Sequence, residues 1–156
     1  MNLDLAGKVV LVTGGGSGIG AAISRGLAAE GAIPAILSRS TPADDLCEHL
    51  FVPVELSDDH AVEVAVATVA SRFGRIDALV NNAGANDNVG LDATPAAFRA
   101  SLDANLVHYF TVTRAALPHL RAAKGTIVNI SSKTAVTGQG ATSAYAAAKG
   151  AQLSLT

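Results

Sequence analysis

Lys8-Val9-Val10-Leu11-Val12-Thr13-Gly14-Gly15-Gly16-Ser17-Gly18-Ile19-Gly20 is the stretch whose reading decides the fold. It begins as a short β-branched run that stops at glycines, which reads as a buried strand. Beyond the glycines, Ile19, Ile23 and Leu27 recur at helical spacing, and Gly31 stands where a C-cap would close a helix over 17–30. A strand, a tight turn and a helix therefore follow one another without a gap. Glycines let the backbone turn sharply and let an anion approach the main chain. The helix start behind them offers unpaired N–H groups and a partial positive charge. A glycine-rich stretch elsewhere would be a flexible turn; in this context it is a candidate phosphate cradle.

The same alternation continues outward. Strands are expected at 33–37, 51–56, 77–81 and 125–131, with Pro34 weakening the first of these. Helices are expected over 42–50 (a short one), over 57–73 with Ser57 as cap and Gly74 as stop, and from 143 to the end. A further helix starts at Thr94-Pro95 and runs to about 122, with Pro118 bending it or ending it early. Gly138-Gln139-Gly140 reads as loop. Strands apolar on both faces, alternating with helices, call for an α/β doubly wound parallel sheet of Rossmann-like type, helices covering both faces. With no repeat, linker or low-complexity tract, residues 1–156 are expected to form a single domain.

Composition narrows the partners. Charged residues make up 15% against the roughly 25% of soluble domains, and mean hydropathy is +0.36. So little charge points to apolar surface covered by other subunits or by chain beyond this stretch. The basic residues are scattered, which speaks against nucleic acid. A lone cysteine, Cys47, forms no internal disulfide and reads as a small apolar filler; with no signal-peptide pattern at the start, a cytoplasmic location is expected. No apolar run reaches the roughly 18 residues of a membrane span. His49, His60, His108 and His119 lack ligand spacing, so no metal site is expected and the histidines read as surface or packing residues. Asp58-Asp59 suits the positive end of a helix, and Asn86-Asp87 reads as a turn, with lining of the substrate pocket as the alternative.

Several segments, in order, resemble the short-chain dehydrogenase/reductase family. The interval between Gly14 and Gly18 is longer than in the older dinucleotide fingerprint and matches that family. Asn81-Asn82-Ala83-Gly84 looks like its NNAG motif, Asn105 like its helix asparagine, and Tyr145-Ala146-Ala147-Ala148-Lys149 like its YxxxK motif. Ile127 to Ser132 resembles the strand that delivers the catalytic serine; twelve residues separate Ser132 from Tyr145, which selects Ser132 rather than Ser131. Singly, each has a plain structural explanation: a packed tyrosine, a solvated lysine, a polar helix residue. Together and in register they point to one site.

The resemblance implies catalysis by Asn105, Ser132, Tyr145 and Lys149. It implies dinucleotide contacts from Gly14, Ser17, Gly18, Ile19, Gly20, Ser38, Arg39, Glu55, Leu56, Asn82, Ala83 and Gly84, and from Tyr145 and Lys149. Lys149 would also bind the nicotinamide ribose, and Asn105 would hold a water linking Lys149 to solvent. The residue types suit the chemistry. Tyr145 and Lys149, four apart, share a helix face. A phenol titrates near pKa ~10, and a neighbouring ammonium favours the phenolate, so such a tyrosine can exchange a proton with an alcohol or carbonyl. A serine hydroxyl can hold the substrate oxygen beside the hydride-bearing carbon.

The second strand ends Leu37-Ser38-Arg39-Ser40, with no acid where an NAD-binding chain would have one. Arg39 could pair with a 2′-phosphate, which favours NADP(H), with NAD as the alternative; Ser17, where NADP-preferring relatives often carry a base, argues the other way. Glu55 stands where the family more often has aspartate against the adenine. The implied assembly is a homodimer or homotetramer built on the two long helices. The implied substrate is a small alcohol or carbonyl compound. The look of 31–34 and 86–87 suggests a bacterial sugar dehydrogenase of the L-fucose type, with a 3-oxoacyl thioester reductase as competitor. The chain stops inside a helix at Thr156, so a C-terminally incomplete protein with its last strands missing is expected. A non-catalytic dinucleotide-binding or oligomerisation module is the reading from another class, and turnover separates the two.

Overall fold

A computed structural model describes residues 3–42, 46 and 49–156. Cys47 and most of the expected short helix lie outside the described residues. Five parallel strands, β1 (Val9–Thr13), β2 (Ile33–Ser38), β3 (Leu50–Pro53), β4 (Ala78–Asn81) and β5 (Thr126–Asn129), form one sheet in the order β3-β2-β1-β4-β5. The helices are α1 (Gly18–Ala29), α2 (Asp59–Phe73), α3 (Pro95–Leu102), α4 (His108–Ala123), α5 (Thr134–Thr137) and α6 (Ser143–Leu155).

The period-two alternation of β1 divides the core. Val9 and Leu11 face a cluster with Val62, Val66 and Val69 of α2 and Val112, Ala116 and Leu120 of α4. Val10 and Val12 face the opposite layer, where Ile23 and Leu27 of α1 pack. Each fully buried Val or Leu contributes roughly 1.5–3 kcal/mol. Both faces of the central strands β1 and β2 are thus covered, as parallel sheets require, while Val128 of β5 stays exposed. At the sheet's lower edge the buried Asp77 carboxylate accepts the Val9 amide at 2.9 Å and is gripped by Arg75, which fixes β4 beside β1. No helix among the described residues is long and apolar enough to cross a membrane.

Several details depart from the sequence expectation. Pro34 sits inside β2 without harm. Its neighbour Ile33 donates to Lys8 on the β1 side, so position 34 faces the other side, where pairing with β3 begins only at Ala35. The cap of α2 is Asp58, whose carboxylate accepts from the Ala61 amide at 2.9 Å; Ser57 turns to Glu55 instead. Pro118 does not end α4, which continues to Ala123. It lies on the exposed face, where the carbonyl one turn back stays open to water. Between α3 and α4 the helix widens into a π-helical turn, Asp103–Val107. Side chains take over carbonyls there: Asn105 Nδ2 donates to Ser101 O at 3.1 Å, and His108 Nε2 to Ala104 O at 3.1 Å. Such bulges gather at functional sites.

Candidate active site

The strand order reverses between β1 and β4, and above their C-terminal ends opens a crevice of about 630 Å³. The glycine turn forms its floor. Gly14 has φ +63°, and its amide donates to Leu37 O at 2.8 Å. Thr13 Oγ1 accepts from the amides of Asn82 and Ala83 at 2.9 and 3.1 Å, and Asn82 Nδ2 returns a bond to Thr13 O at 3.0 Å. This exchange locks the turn after β1 to the loop after β4. Among the described residues, the first turn of α1 carries no side-chain cap from Ser17, and a Cβ added at Gly18 would meet nothing within 4 Å. Unpaired amides therefore face open space, an arrangement that fits a phosphate.

At one end of the crevice, Arg39 and Glu55 face each other at 3.5 Å, both exposed. The Ser57 amide, then the Ser57 hydroxyl and the Arg39 charge, hold the Glu55 carboxyl below the usual range. An exposed pair of this kind contributes little to stability, so Arg39 is available to a stronger anion. At the other end stands α6. Tyr145 and Lys149, one turn apart, both line the crevice, and Lys149 Nζ lies 5.6 Å from the centre of the Tyr145 ring. Gly84 closes the loop beneath them; a Cβ there would meet Asn105 Oδ1 at 2.9 Å. Asn105 Oδ1 accepts from the Ala85 amide at 2.9 Å.

A family model described as short chain dehydrogenase matches residues 8–156. The chain belongs to the short-chain dehydrogenase family. It is 37% identical to L-fucose dehydrogenase of Rattus norvegicus over 97% of this chain and 58% of that protein. Among solved structures it resembles Cj0485 dehydrogenase, with TM-score 0.96 and 43% identity, covering 100% of this chain and 63% of the other. It also resembles the NADH-dependent reductase A1-R′ complexed with NAD, with TM-score 0.92 and 30% identity, covering 99% and 72%. The chain thus spans about three-fifths of the length of the curated relatives it matches.

In this short-chain dehydrogenase the crevice brings together every sequence-expected dinucleotide residue, from Gly14 to Gly84, with Asn105, Tyr145 and Lys149. Of the serine pair, Ser131 lines the crevice and spends its hydroxyl on Lys149 O at 2.8 Å. Ser132, half-buried just before α5, accepts from the Thr134 amide at 3.3 Å and from the Thr134 hydroxyl at 3.0 Å. Ser132, the serine that the sequence selects, is not among the residues that line the crevice. Asn86 Oδ1 accepts from the Asn88 amide at 3.2 Å, the turn role expected of it. Among the described residues, no cluster of His, Cys, Asp or Glu could hold a metal.

Sequence reading missed what surrounds Lys149. Its ammonium donates to Ile130 O at 2.8 Å and to Tyr109 Oη at 3.2 Å. Gln152, one turn further along α6, donates to Asn105 O at 2.6 Å. The YxxxK spacing points at the lysine, but its partners come from the residue that follows β5 and from α4, which no local pattern connects.

His108 is buried here too. A carbonyl only accepts, so Nε2 carries the proton toward Ala104 and Nδ1 is left as a buried lone pair with no partner among the described residues. Burial pushes the imidazole down to about 4. Because the folded value lies below the unfolded one, the neutral ring stabilises the fold above pH about 6.5, and this is lost as pH falls toward about 4. The loss should be about 3 kcal/mol. Urea midpoints at pH 7 and pH 4 are expected to differ less in His108→Met than in the native chain; equal differences would show that His108 does not titrate with unfolding.

Proposed function

We propose that this chain is the cofactor-binding and catalytic part of an oxidoreductase that moves hydride between NADP(H) and an alcohol or carbonyl, with a sugar as the substrate class. The observation that carries the reading is one crevice lined at once by the glycine turn before α1 and by the Tyr145/Lys149 face of α6. The bound nicotinamide would supply or take up the hydride. The chain's own residues do the rest. Tyr145 passes a proton to or from the substrate oxygen. Ser132 donates to that oxygen and fixes its position. Lys149, charged and buried, sets the field around Tyr145 and offers its remaining proton to the ribose. Asn105 holds the loop of Gly84 and Ala85 in place from the π-helical turn. A sugar is favoured because the rat relative is named for L-fucose and because the crevice lining includes the carboxylate of Asp87.

The test is formation of reduced nicotinamide from NADP⁺ when the chain is offered L-fucose and other aldoses. Steady growth of its absorbance with at least one sugar supports the reading, and none with any sugar or simple alcohol counts against it.

The choice of NADP(H) rests on Arg39 and on the absence of an acid beside Ser38. Removing the guanidinium in Arg39→Ala should weaken NADPH binding about tenfold, the scale of one partly exposed charge-assisted bond, and leave NADH binding nearly unchanged. Equal losses for both would mean that Arg39 supports the turn instead of the 2′-phosphate.

A further inference from the structure

We propose that Tyr109 is a positioning residue for Lys149, its neutral hydroxyl serving as the acceptor that keeps the buried ammonium charged and aimed at the crevice; this rests on the role given to Lys149 above.

The geometry is a closed triangle behind the crevice wall. Tyr109 is 0% exposed and Lys149 3%. The Tyr109 hydroxyl donates its proton to Ile130 O at 3.0 Å, and Lys149 Nζ donates to the same carbonyl at 2.8 Å. That carbonyl's two lone pairs are then both used. With its own proton committed, the phenol can meet the ammonium only as an acceptor, at 3.2 Å. Two of the three ammonium protons are thus fixed, and the third is left for the side where the Tyr145 ring lies. The ammonium sits between two rings, 5.3 Å from the centre of Tyr109 and 5.6 Å from that of Tyr145. Gln152 holds α6 to the π-helical turn through Asn105 O, so the distance between α4 and Lys149 is set by a second bond.

The energetics favour an acceptor at this place. Burial pushes Lys149 down to about 8, toward the range where it would lose its charge. A hydrogen bond to the charged form opposes that loss, and an apolar side chain at position 109 would not. Burial pushes the Tyr109 phenol well above its ordinary range, so it stays neutral and never competes with Tyr145 for the substrate proton. The titratable groups facing Lys149 are Tyr109 and His108 from α4 and Tyr145 from its own helix; His108, held neutral, adds no charge.

The experiment is a direct titration of the lysines in the whole 156-residue chain labelled with [ε-13C]lysine, Lys149 being assigned by its disappearance in Lys149→Met. The native Lys149 signal is expected to titrate near 8. In Tyr109→Phe its midpoint should fall by about one pH unit, the effect of losing one bond to a buried charge, while the other lysines stay in place. An unchanged midpoint in folded Tyr109→Phe overturns the proposal. Should that variant fail to fold, Tyr145→Phe leaves Tyr109 as the sole tyrosine, because the chain has two. Replacing it there with 3-fluorotyrosine weakens the acceptor without changing its shape. A midpoint lowered by a few tenths of a unit supports the proposal, and an unmoved one overturns it. None of these readouts needs turnover, so a failed proposal and a failed oxidoreductase reading would look different.

Discussion

Tyr145→Phe is expected to lower turnover about a thousandfold while NADPH affinity stays within about twofold, because only the proton-carrying oxygen is removed. The ring stays, so its contact with Lys149 and the packing of α6 against α5 survive. Lys149 is anchored on Ile130 O and Tyr109, not on the Tyr145 oxygen, so the cofactor end of the crevice should not collapse. A loss confined to kcat is the signature of an interaction made in the transition state. A loss shared equally by cofactor affinity would mean that Tyr145 shapes the crevice and that another group carries the proton. Retained turnover would remove Tyr145 from the mechanism altogether.

Gly20→Ala should strike binding where Tyr145→Phe strikes chemistry. Gly20 is buried at the start of α1, and a Cβ there would run into the carbonyl oxygen of Gly14, with Asn82 Nδ2 only 2.6 Å away. Neither neighbour can yield, since Gly14 and Asn82 are the residues that tie the turn to the loop after β4. The turn must move, at a cost of about 1–3 kcal/mol in stability, and the amides that face the crevice lose their alignment. NADPH affinity should drop by at least about tenfold. Gly26→Ala in the same helix is the contrast. Beyond its chain neighbours and the local helix backbone, no heavy atom of the described residues lies within 4 Å of a Cβ there and the site is exposed, so the substitution should stabilise by roughly 0.5–1 kcal/mol and leave binding intact. Urea midpoints and fluorescence titrations check both. If the two alanines behave alike, close approach at Gly20 is not what the turn depends on.

The contrast between these glycines and the triangle at Tyr109 shows how far sequence alone reaches. Strand β1, the turn and α1 are contiguous, so their periods and glycines spell out a phosphate cradle. Tyr145 and Lys149 are one helical turn apart and read as a pair for the same reason. Parallel pairing followed from strands apolar on both faces, and the five-strand sheet has the expected doubly wound order. What stayed hidden depends on neighbours far away in the chain. Pro34 looks like a strand breaker until the late start of β3 is known. The widened turn at Asp103–Val107 looks like ordinary helix until Asn105 and His108 are seen donating to carbonyls one turn back. Tyr109 looks like a core aromatic until β5 brings Ile130 and α6 brings Lys149 to its hydroxyl. Ser57 and Asp58 are both good caps by type, and only the turn after β3, where Glu55 claims Ser57, decides between them.

The central claim is that the crevice above β1 and β4 holds a dinucleotide, and titrating the chain with NADPH and in parallel with NADH, followed by the fluorescence of the reduced nicotinamide, tests it most directly. Saturable binding of both, tighter for NADPH and weakened at least about tenfold in Gly20→Ala, is the predicted result. Absence of saturable binding by folded chain, or binding untouched by Gly20→Ala, would contradict it.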